Sequence, residues 1–534
     1  MRWHKRSTEV LTQEQRDVVD AAKTGEHLKV VAFAGAGKTF TLVEVAKALR
    51  GKRILYLTFS KALADEARKK FGDLAEPMTN HSLAYKETGR LFEGRLKNSL
   101  FQARRLLAAD LPELDQLKEW GFRDREEAMF PVLETVNRFT QSEADVVTAE
   151  HIPDILRLEA EAKGGKSFNE FAAHLVPIAQ RAWELLCDPA ASYPVSHDIY
   201  LKLYQLSRPQ LPYDVILFDE AQDANPAMLA LLLPQQAQRI FVGDPHQQIY
   251  AWRGAVNAMD RLKATELPLT RSFRFSEAIA DEASELLHLF KGETRRVRGN
   301  PKPKQDGSIA ILSRTNAGAL REVLGLLKKG RKVALVNDVR ELTEALKAAH
   351  RLYKGQKPRH PEFSLFRNWE HLKSLIERFP TIAAQYRPYE RLVEEYTDRI
   401  PQVCRTLEQS IVPEDQAQVV VSTAHRSKGR EWDRVALAED FKGVKLAQKN
   451  DVQRCVILYP EEANLTYVAF TRARNTLDKG RFSTVLEDQK KLAARVRKGV
   501  VRLCTEEDLR AKASKPQPTI QHWVRTLLKK LLGD

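Results

Sequence analysis

Cysteine is scarce in this chain: Cys187, Cys404, Cys455 and Cys504 are the only four in 534 residues. No CxxC pair occurs among them, which excludes a disulfide framework or an obvious zinc cluster and leaves ordinary thiols of a reducing compartment. No apolar run reaches the ~18 residues of a bilayer span. The N-terminal MRWHKRSTEVLTQEQ also lacks the apolar core of a secretion signal. Stable membrane insertion is therefore not expected, and an intracellular protein of cytoplasm, nucleoid or nucleus is. Repeats of fixed period are missing too, against a solenoid or propeller. Acidic residues are in deficit, 71 against 86 basic ones, for a net charge of +15. Such an excess favours a polyanionic partner such as nucleic acid. It is concentrated in residues 481–534, which hold 13 basic and 6 acidic side chains. The 43% hydrophobic and 29% charged residues fit a soluble globular protein rather than a disordered one, and the length predicts about three to four domains.

Short apolar runs ending in chemically loaded turns recur along the chain. They are HLKVVAFAGAGKT (27–39), KRILYLTFSKA (52–62), YDVILFDEAQD (213–223) and RIFVGDPHQQIY (239–250). Buried parallel strands that carry a site at their C-terminal ends have this pattern. A second set, SIAILSRTNA (308–317), KVALV (332–336), QVVVSTAH (418–425) and DRVALAED (433–440), predicts a second α/β unit in tandem. Amphipathic stretches between the strands predict helical insertions. The expected organisation is a first motor unit over 1–85 and 206–265 with an insertion at 86–205. A second unit over 266–337 and 413–480 carries a smaller insertion at 338–412, and a basic extension occupies 481–534. AKASKPQPT (511–519) reads as a linker before a last helix.

AFAGAGKT (32–39) fits GxxxxGK[ST] with Ala32 in the first glycine position. In such a loop Gly35, Ala36 and Gly37 bring backbone N–H groups to phosphate. Lys38 offsets charge on the β- and γ-phosphates, and the Thr39 hydroxyl ligates Mg2+. ILFDEAQD supplies two adjacent carboxylates at a strand end. Asp219 is placed to reach the magnesium, and Glu220 to orient and deprotonate an attacking water. Together the two motifs point to ATP hydrolysis.

These segments belong to an ordered set that resembles superfamily 1 DNA helicases of the UvrD/Rep type. LTQEQ (11–15) is similar to the adenine-reading Q motif, AGAGKT to motif I, YLTFSKALADEA to Ia, TNHSLAY (79–85) to Ib and DEAQD to II. VGDPHQQIYAWRGA (242–255), LTRSFRF (269–275), VVVSTAHRSKGREWDRV (419–435) and EEANLTYVAFTRAR (461–474) are similar to motifs III to VI. TFSKA, SFRF, KGREWD and YVAFTRA look most similar to the F-box DNA helicase branch. Only ten residues precede LTQEQ and 60 follow Arg474, so neither F-box recruitment of a ubiquitin ligase nor a RecB-type nuclease is expected.

The resemblance implies two tandem RecA-like P-loop NTPase domains with parallel sheets, each carrying a mainly helical insertion. ATP and Mg2+ are the implied cofactors, and Gln15 the residue that recognises the base. Gln247 is the implied γ-phosphate sensor, and Glu431 a contact to the nucleotide sugar. Arg274 and Arg472 are the cations that would stabilise the phosphoryl-transfer transition state from the second unit. Phe59, Tyr250 and Trp252, with Arg253, match positions that contact single-stranded DNA, and His81 and His425 would add backbone contacts. Two departures bear on nucleotide preference: Phe40 stands where many relatives have Arg, and Phe273 replaces the usual Tyr.

The implied activity is an ATP-dependent 3′ to 5′ DNA helicase of repair or recombination, acting on single-stranded and duplex DNA, with a monomer expected. Two alternatives stay open, a translocase that strips proteins from single strands with little unwinding and an ATP-switched regulatory binding module. In the extension, QPTIQHWV (517–524) fits a sliding-clamp-binding peptide with Gln517, Ile520 and Trp523 as anchors. The helical spacing of its apolar residues favours docking on the motor core over the clamp, with a membrane-surface contact as the third reading.

Overall fold

The structure is a computed structural model that describes residues 11–122, 124–153, 156–157, 168–250, 257–358, 360, 363, 366–378, 386–441, 445–449, 453–457, 460–497 and 502–504. Among the described residues the first element is the helix Gln13–Lys23, followed by β1 (Leu28–Ala32), β2 (Ile54–Thr58) and β3 (Glu76–Thr79). The helices Lys38–Ala48 and Lys61–Phe71 connect them. A mainly helical segment follows, with helices Arg125–Gln141, Phe168–Cys187 and His197–Leu206 and a two-residue pair, β4 (Leu96–Lys97) with β5 (Val195–Ser196). The chain then returns for β6 (Val215–Phe218), β7 (Gln238–Gly243) and β8 (Thr265–Leu269). These make a six-stranded, all-parallel sheet in the order β3-β2-β6-β7-β1-β8.

Both faces of this sheet are covered, as parallel strands require. Val30, Ile54, Tyr56, Leu217 and Val242 pack with Val18 and Leu42 of the first two helices. Val31, Leu55, Ile216 and Phe241 point the other way, into a core shared with Leu133 and Trp183 of the insertion. β8 lies in this first sheet and pairs with β1. The strand therefore falls on the first unit's side, although the sequence reading began the second unit at 266. Arg274 accordingly sits on the segment that leaves the first sheet, ahead of the helix Glu277–Lys291, and not within the second sheet.

The second sheet contains β9 (Ile309–Ser313), β10 (Val333–Leu335), β11 (Val419–Thr423), β12 (Trp432–Leu437) and, further on, β15 (Ala473–Asp478). It too is all parallel, in the order β10-β11-β9-β12-β15. Between β12 and β15 lie the hairpin β13 (Lys445–Lys449) and β14 (Gln453–Ile457), which β16 (Arg502–Cys504) extends, and the helix Pro460–Phe470. The second, smaller insertion between β10 and β11 is helical, with helices Val339–Tyr353, Trp369–Arg378, Arg387–Tyr396 and Ile400–Ser410 around one core. Two tandem RecA-like units thus each carry a mainly helical insertion.

The units share a core: Phe33 and Ala34, just past β1, are buried with Phe275, Ile279, Leu286, Tyr467 and Phe470. Lys357 pairs with Asp124 at 2.9 Å and links the two insertions. Among the described residues no helix is long and apolar enough to cross a membrane.

Candidate active site

The loop after β1 turns sharply. Gly35 and Gly37 have φ of +73° and +77°, backbone that side chains rarely adopt. A Cβ at Gly35 would also lie 2.5 Å from Ser272 Oγ and 2.7 Å from Arg274 Cβ, and Phe273 N donates to Gly35 O at 2.9 Å. The segment carrying Phe273 and Arg274 is thus laid directly on the loop. Gly37 caps the helix Lys38–Ala48 with no side-chain hydrogen bond to its first turn, and the free N–H groups of such a helix start suit an anion.

Lys38, Thr39, Asp219 and Glu220 converge at the C-terminal ends of β1 and β6. Lys38 Nζ lies 2.6 Å from Glu220 Oε1, and Thr39 Oγ1 donates to Asp219 Oδ2 at 3.4 Å. Burial opposes the Lys38 charge, but Glu220 and Asp219 outweigh it and raise its pKa. Burial alone would raise Glu220, yet Lys38 and Lys428 bring it down to about 2. Asp219 is raised by burial and by the charge of Glu220, a repulsion that a divalent cation relieves. Glu220 has φ +54°, a strained conformation for a non-glycine residue that aims its carboxylate at Lys38. Among the described residues no cluster of three or more His, Cys, Asp or Glu side chains is built to hold a metal. A magnesium carried by one carboxylate, one hydroxyl and substrate phosphates needs no such cluster.

The adenine side fits as well. Gln15 Oε1 accepts from Thr12 N at 3.0 Å in a capping box, while its buried Nε2 has no hydrogen-bond partner. Phe273, 45% exposed, lies with Gln15 at the position of Gly37, whose added Cβ would be 3.2 Å from Gln15 Nε2 and 3.5 Å from the Phe273 ring. An unpaired buried donor beside an exposed ring suits a heteroaromatic base. Ala36 is buried behind the loop and Phe40 is half-buried on the following helix.

The second unit closes the other side. Arg472 is buried, and its guanidinium reaches Gln247 Oε1 at 3.4 Å, Val468 O at 3.0 Å and Arg430 O at 3.1 Å. Burial and the neighbouring charge of Arg274 lower Arg472 to about 9, so it stays cationic at neutral pH. Arg274 Nε donates to Glu431 Oε2 at 2.8 Å. Gln247 Nε2 donates to Asp244 Oδ2 at 2.7 Å, and Tyr467 OH donates to the same oxygen at 3.1 Å.

Of the aromatic candidates, Phe59, Tyr250 and His425 come together. Phe59 and Tyr250 face each other across 6.4 Å, and Tyr250 OH donates to His425 O at 3.3 Å. His81 has other contacts: Asp198 Oδ1 at 3.0 Å and the rings of His197 and Tyr200. Trp252 and Arg253 lie outside the described residues, as do Gln517, Ile520 and Trp523 of the proposed clamp peptide.

Two family models match the chain, the UvrD/REP helicase N-terminal domain over residues 11–141 and 199–264 and the UvrD-like helicase C-terminal domain over residues 328–478. The chain belongs to the UvrD-like helicase family. It is similar to F-box DNA helicase 1 of Gallus gallus, 32% identical over 514 residues, which is 89% of this chain and 49% of that protein. F-box DNA helicase protein 1 of Schizosaccharomyces pombe is 30% identical over 524 residues, 88% of this chain and 57% of that one. DNA helicase II of Haemophilus influenzae is 25% identical over 310 residues, 52% of this chain and 40% of that one. The chain spans about half the length of the two F-box relatives. Within the UvrD-like pattern the N-terminal match skips residues 142–198, which lie in the first helical insertion.

Several residues of this UvrD-like site escaped sequence reasoning. Tyr56, buried in β2, donates to Asp219 Oδ2 at 2.7 Å, and burial with the charge of Asp219 raises its pKa so that it remains a donor. Gln222 bridges the carboxylate and the sensor turn, donating to Glu220 Oε2 at 2.6 Å and accepting from Asp244 N at 3.0 Å. Lys428 pairs with Asp223, donates to Gln247 O at 2.9 Å and stands 5.3 Å from the Tyr250 ring centroid. Gln222, Asp223 and Lys428 were each in view inside a quoted motif, and their signal is burial of a polar side chain next to the phosphate loop.

Proposed function

We propose that this chain is an ATP-hydrolysing motor that moves 3′ to 5′ along single-stranded DNA and unwinds duplex in repair or recombination. The observation that carries this reading is the position of Lys428. One ammonium from the second unit pairs with Asp223, three residues after Glu220, donates to the backbone of Gln247 and stands over the ring of Tyr250. A change at the phosphates is therefore one residue away from the aromatic surface.

In this reading Lys38 and the loop N–H groups bind the phosphates, and Thr39 with Asp219 holds magnesium. Gln15 and Phe273 take the adenine, and Glu220 positions and deprotonates water. Arg274 and Arg472 supply the transition-state charge once the two units close. Phe59 and Tyr250 grip bases, and the +15 net charge favours the strand. Binding of the chain terminus to a sliding clamp through Gln517, Ile520 and Trp523 is part of the same proposal and rests on the sequence pattern alone.

The test is ATP hydrolysis by the purified chain with and without single-stranded DNA, beside Glu220→Gln, followed by strand separation on duplexes with a 3′ or a 5′ tail. Hydrolysis stimulated by DNA, lost in the variant, and unwinding that needs the 3′ tail are expected. Unwinding from the 5′ tail would reverse the polarity, and no stimulation by DNA would overturn the motor.

A further inference from the structure

His246 occupies the centre of the turn Pro245–Gln247, next to the proposed phosphate sensor, and it is buried. Its Nδ1 is buried without a hydrogen-bond partner, so the polar hold on the ring comes through the other nitrogen. Its Nε2 lies 3.1 Å from Glu293 Oε2, with both side chains less than a tenth exposed (8% and 9%). The ring stacks on Phe33 with centroids 5.6 Å apart and meets Tyr467 edge-on at 5.9 Å.

Glu293 is a rigid anchor. It follows the helix Glu277–Lys291, and its Oε1 accepts from Thr294 N at 3.0 Å and from Arg295 N at 2.9 Å and Nε at 3.0 Å. Arg295 NH2 donates to Oε2 at 3.0 Å. Burial would raise the carboxyl, but His246 and Arg295 hold it well below the usual carboxylate range. Arg295 in turn reaches Glu266 of β8 at 3.0 Å, and Glu266 pairs with Lys29 of β1 at 2.8 Å. A run of opposite charges thus ties the strands flanking the phosphate loop to the turn that carries Gln247.

The second unit holds that turn at two places, through Tyr467 on Asp244 and through Glu293 on His246. Two anchors define an orientation where one leaves a pivot. Nothing in the proposed chemistry employs His246, since its ring faces Phe33, Tyr467 and Glu293.

We infer that His246 is a positioning residue: gripped by Glu293, Phe33 and Tyr467, it fixes the turn that presents Gln247, so that movement of the second unit is passed to the phosphate sensor. The inference rests on the motor reading above.

The experiment is steady-state ATP hydrolysis by the full chain, over a range of ATP concentrations with saturating single-stranded DNA, with thermal unfolding of each variant. The set is wild type, His246→Ala, His246→Gln, His246→Leu, Glu293→Ala and the double variant His246→Ala/Glu293→Ala. His246→Ala is expected to keep KM for ATP within about twofold and to lower DNA-stimulated kcat about tenfold or more. His246→Gln, whose amide N–H reaches the place of Nε2, restores most of it. The double variant falls no further than the worse single one, because the pair acts as a unit.

A raised KM with unchanged kcat, an additive double variant, or His246→Gln as impaired as His246→Ala overturns the inference. If His246→Ala does not fold, the comparison of His246→Gln with His246→Leu decides: a lower kcat for Leu supports the pair, and equal values overturn it. Wild type without DNA stimulation overturns the motor reading and this inference with it. Wild type and His246→Ala stimulated alike overturn this inference alone.

Discussion

The rings of Phe59 and Tyr250 lie parallel, 1° between their planes, with centroids 6.4 Å apart. Two parallel rings at that separation offer neighbouring faces on which bases can stack. Phe59 is 54% exposed, which leaves its face open to a strand, and Lys428 above Tyr250 supplies a cation for the backbone or the ring. Phe59→Ala and Tyr250→Ala should each weaken single-stranded DNA binding by about 1–3 kcal/mol, read by fluorescence anisotropy at fixed salt. For Phe59→Ala, KM for ATP should stay as in wild type. Unchanged DNA affinity in both variants would remove the stacking role.

Lys38 and Glu220 predict a pH signature. While Lys38 rests on Glu220 the carboxyl titrates at about 2, so the free protein keeps it ionised at any ordinary pH. When phosphates draw Lys38 away, Glu220 loses its nearest positive charge and its pKa climbs, which improves it as a base. The acid limb of kcat should therefore lie at higher pH than the acid limb of kcat/KM, since the first reports the loaded and the second the free protein. Glu220→Gln should lower kcat by about 10²–10⁴-fold and leave nucleotide binding in place. Coincident acid limbs would mean that Lys38 stays on Glu220 throughout.

Gln15 predicts how the base is read. Its carbonyl oxygen is committed to Thr12 N, so only the amide N–H groups remain, and they need an acceptor such as a purine ring nitrogen. Wild type should bind 7-deaza-ATP, which lacks that nitrogen, about tenfold more weakly than ATP, because a buried donor is then left unpaired. Gln15→Ala should bind the two equally. Equal binding by wild type would put the base elsewhere.

The chemistry of this site was legible because P-loop, acidic pair and sensor turn are each local in sequence and follow strongly apolar strands. The strands read from the sequence are short apolar runs, β1, β2, β6 and β7 in the first sheet and β9 to β12 in the second, β10 among them although it lies at an edge. Those missed in these two sheets are edges. β3 contains Pro77 and β8 contains Pro268, and each pairs with one neighbour only, which is where a strand tolerates a missing N–H. β15 (ARNTLD) is polar because alternate residues face solvent. Missing β8 set the start of the second unit at 266, inside a strand of the first sheet. The contacts of Tyr56, Lys428 and His246 were illegible for another reason: each depends on a partner more than forty residues away, and no spacing rule reports that.

Lys428 and Asp223 form a buried pair across the two units, and stability should show it. Burial pushes Asp223 up to about 6, with the Lys428 charge working the other way and Glu220 adding to the rise. A carboxyl whose folded pKa exceeds its unfolded value of about 3.9 binds its proton more tightly when native, so its ionisation costs stability as pH rises through about 4 to 6. Without Lys428 that cost grows, because the ionised Asp223 is left alone. Lys428→Met should therefore lose little near about pH 5 and about 3–5 kcal/mol near about pH 8, read as a shift of the urea midpoint at constant slope. A loss independent of pH would assign the effect to packing of the lysine stem. The double variant Asp223→Asn/Lys428→Met buries no unpaired charge and should recover most of the stability. It should remain poorly stimulated by DNA, because the ammonium between Gln247 and Tyr250 is gone. Full stimulation in that variant would mean that the path from phosphate to strand runs elsewhere.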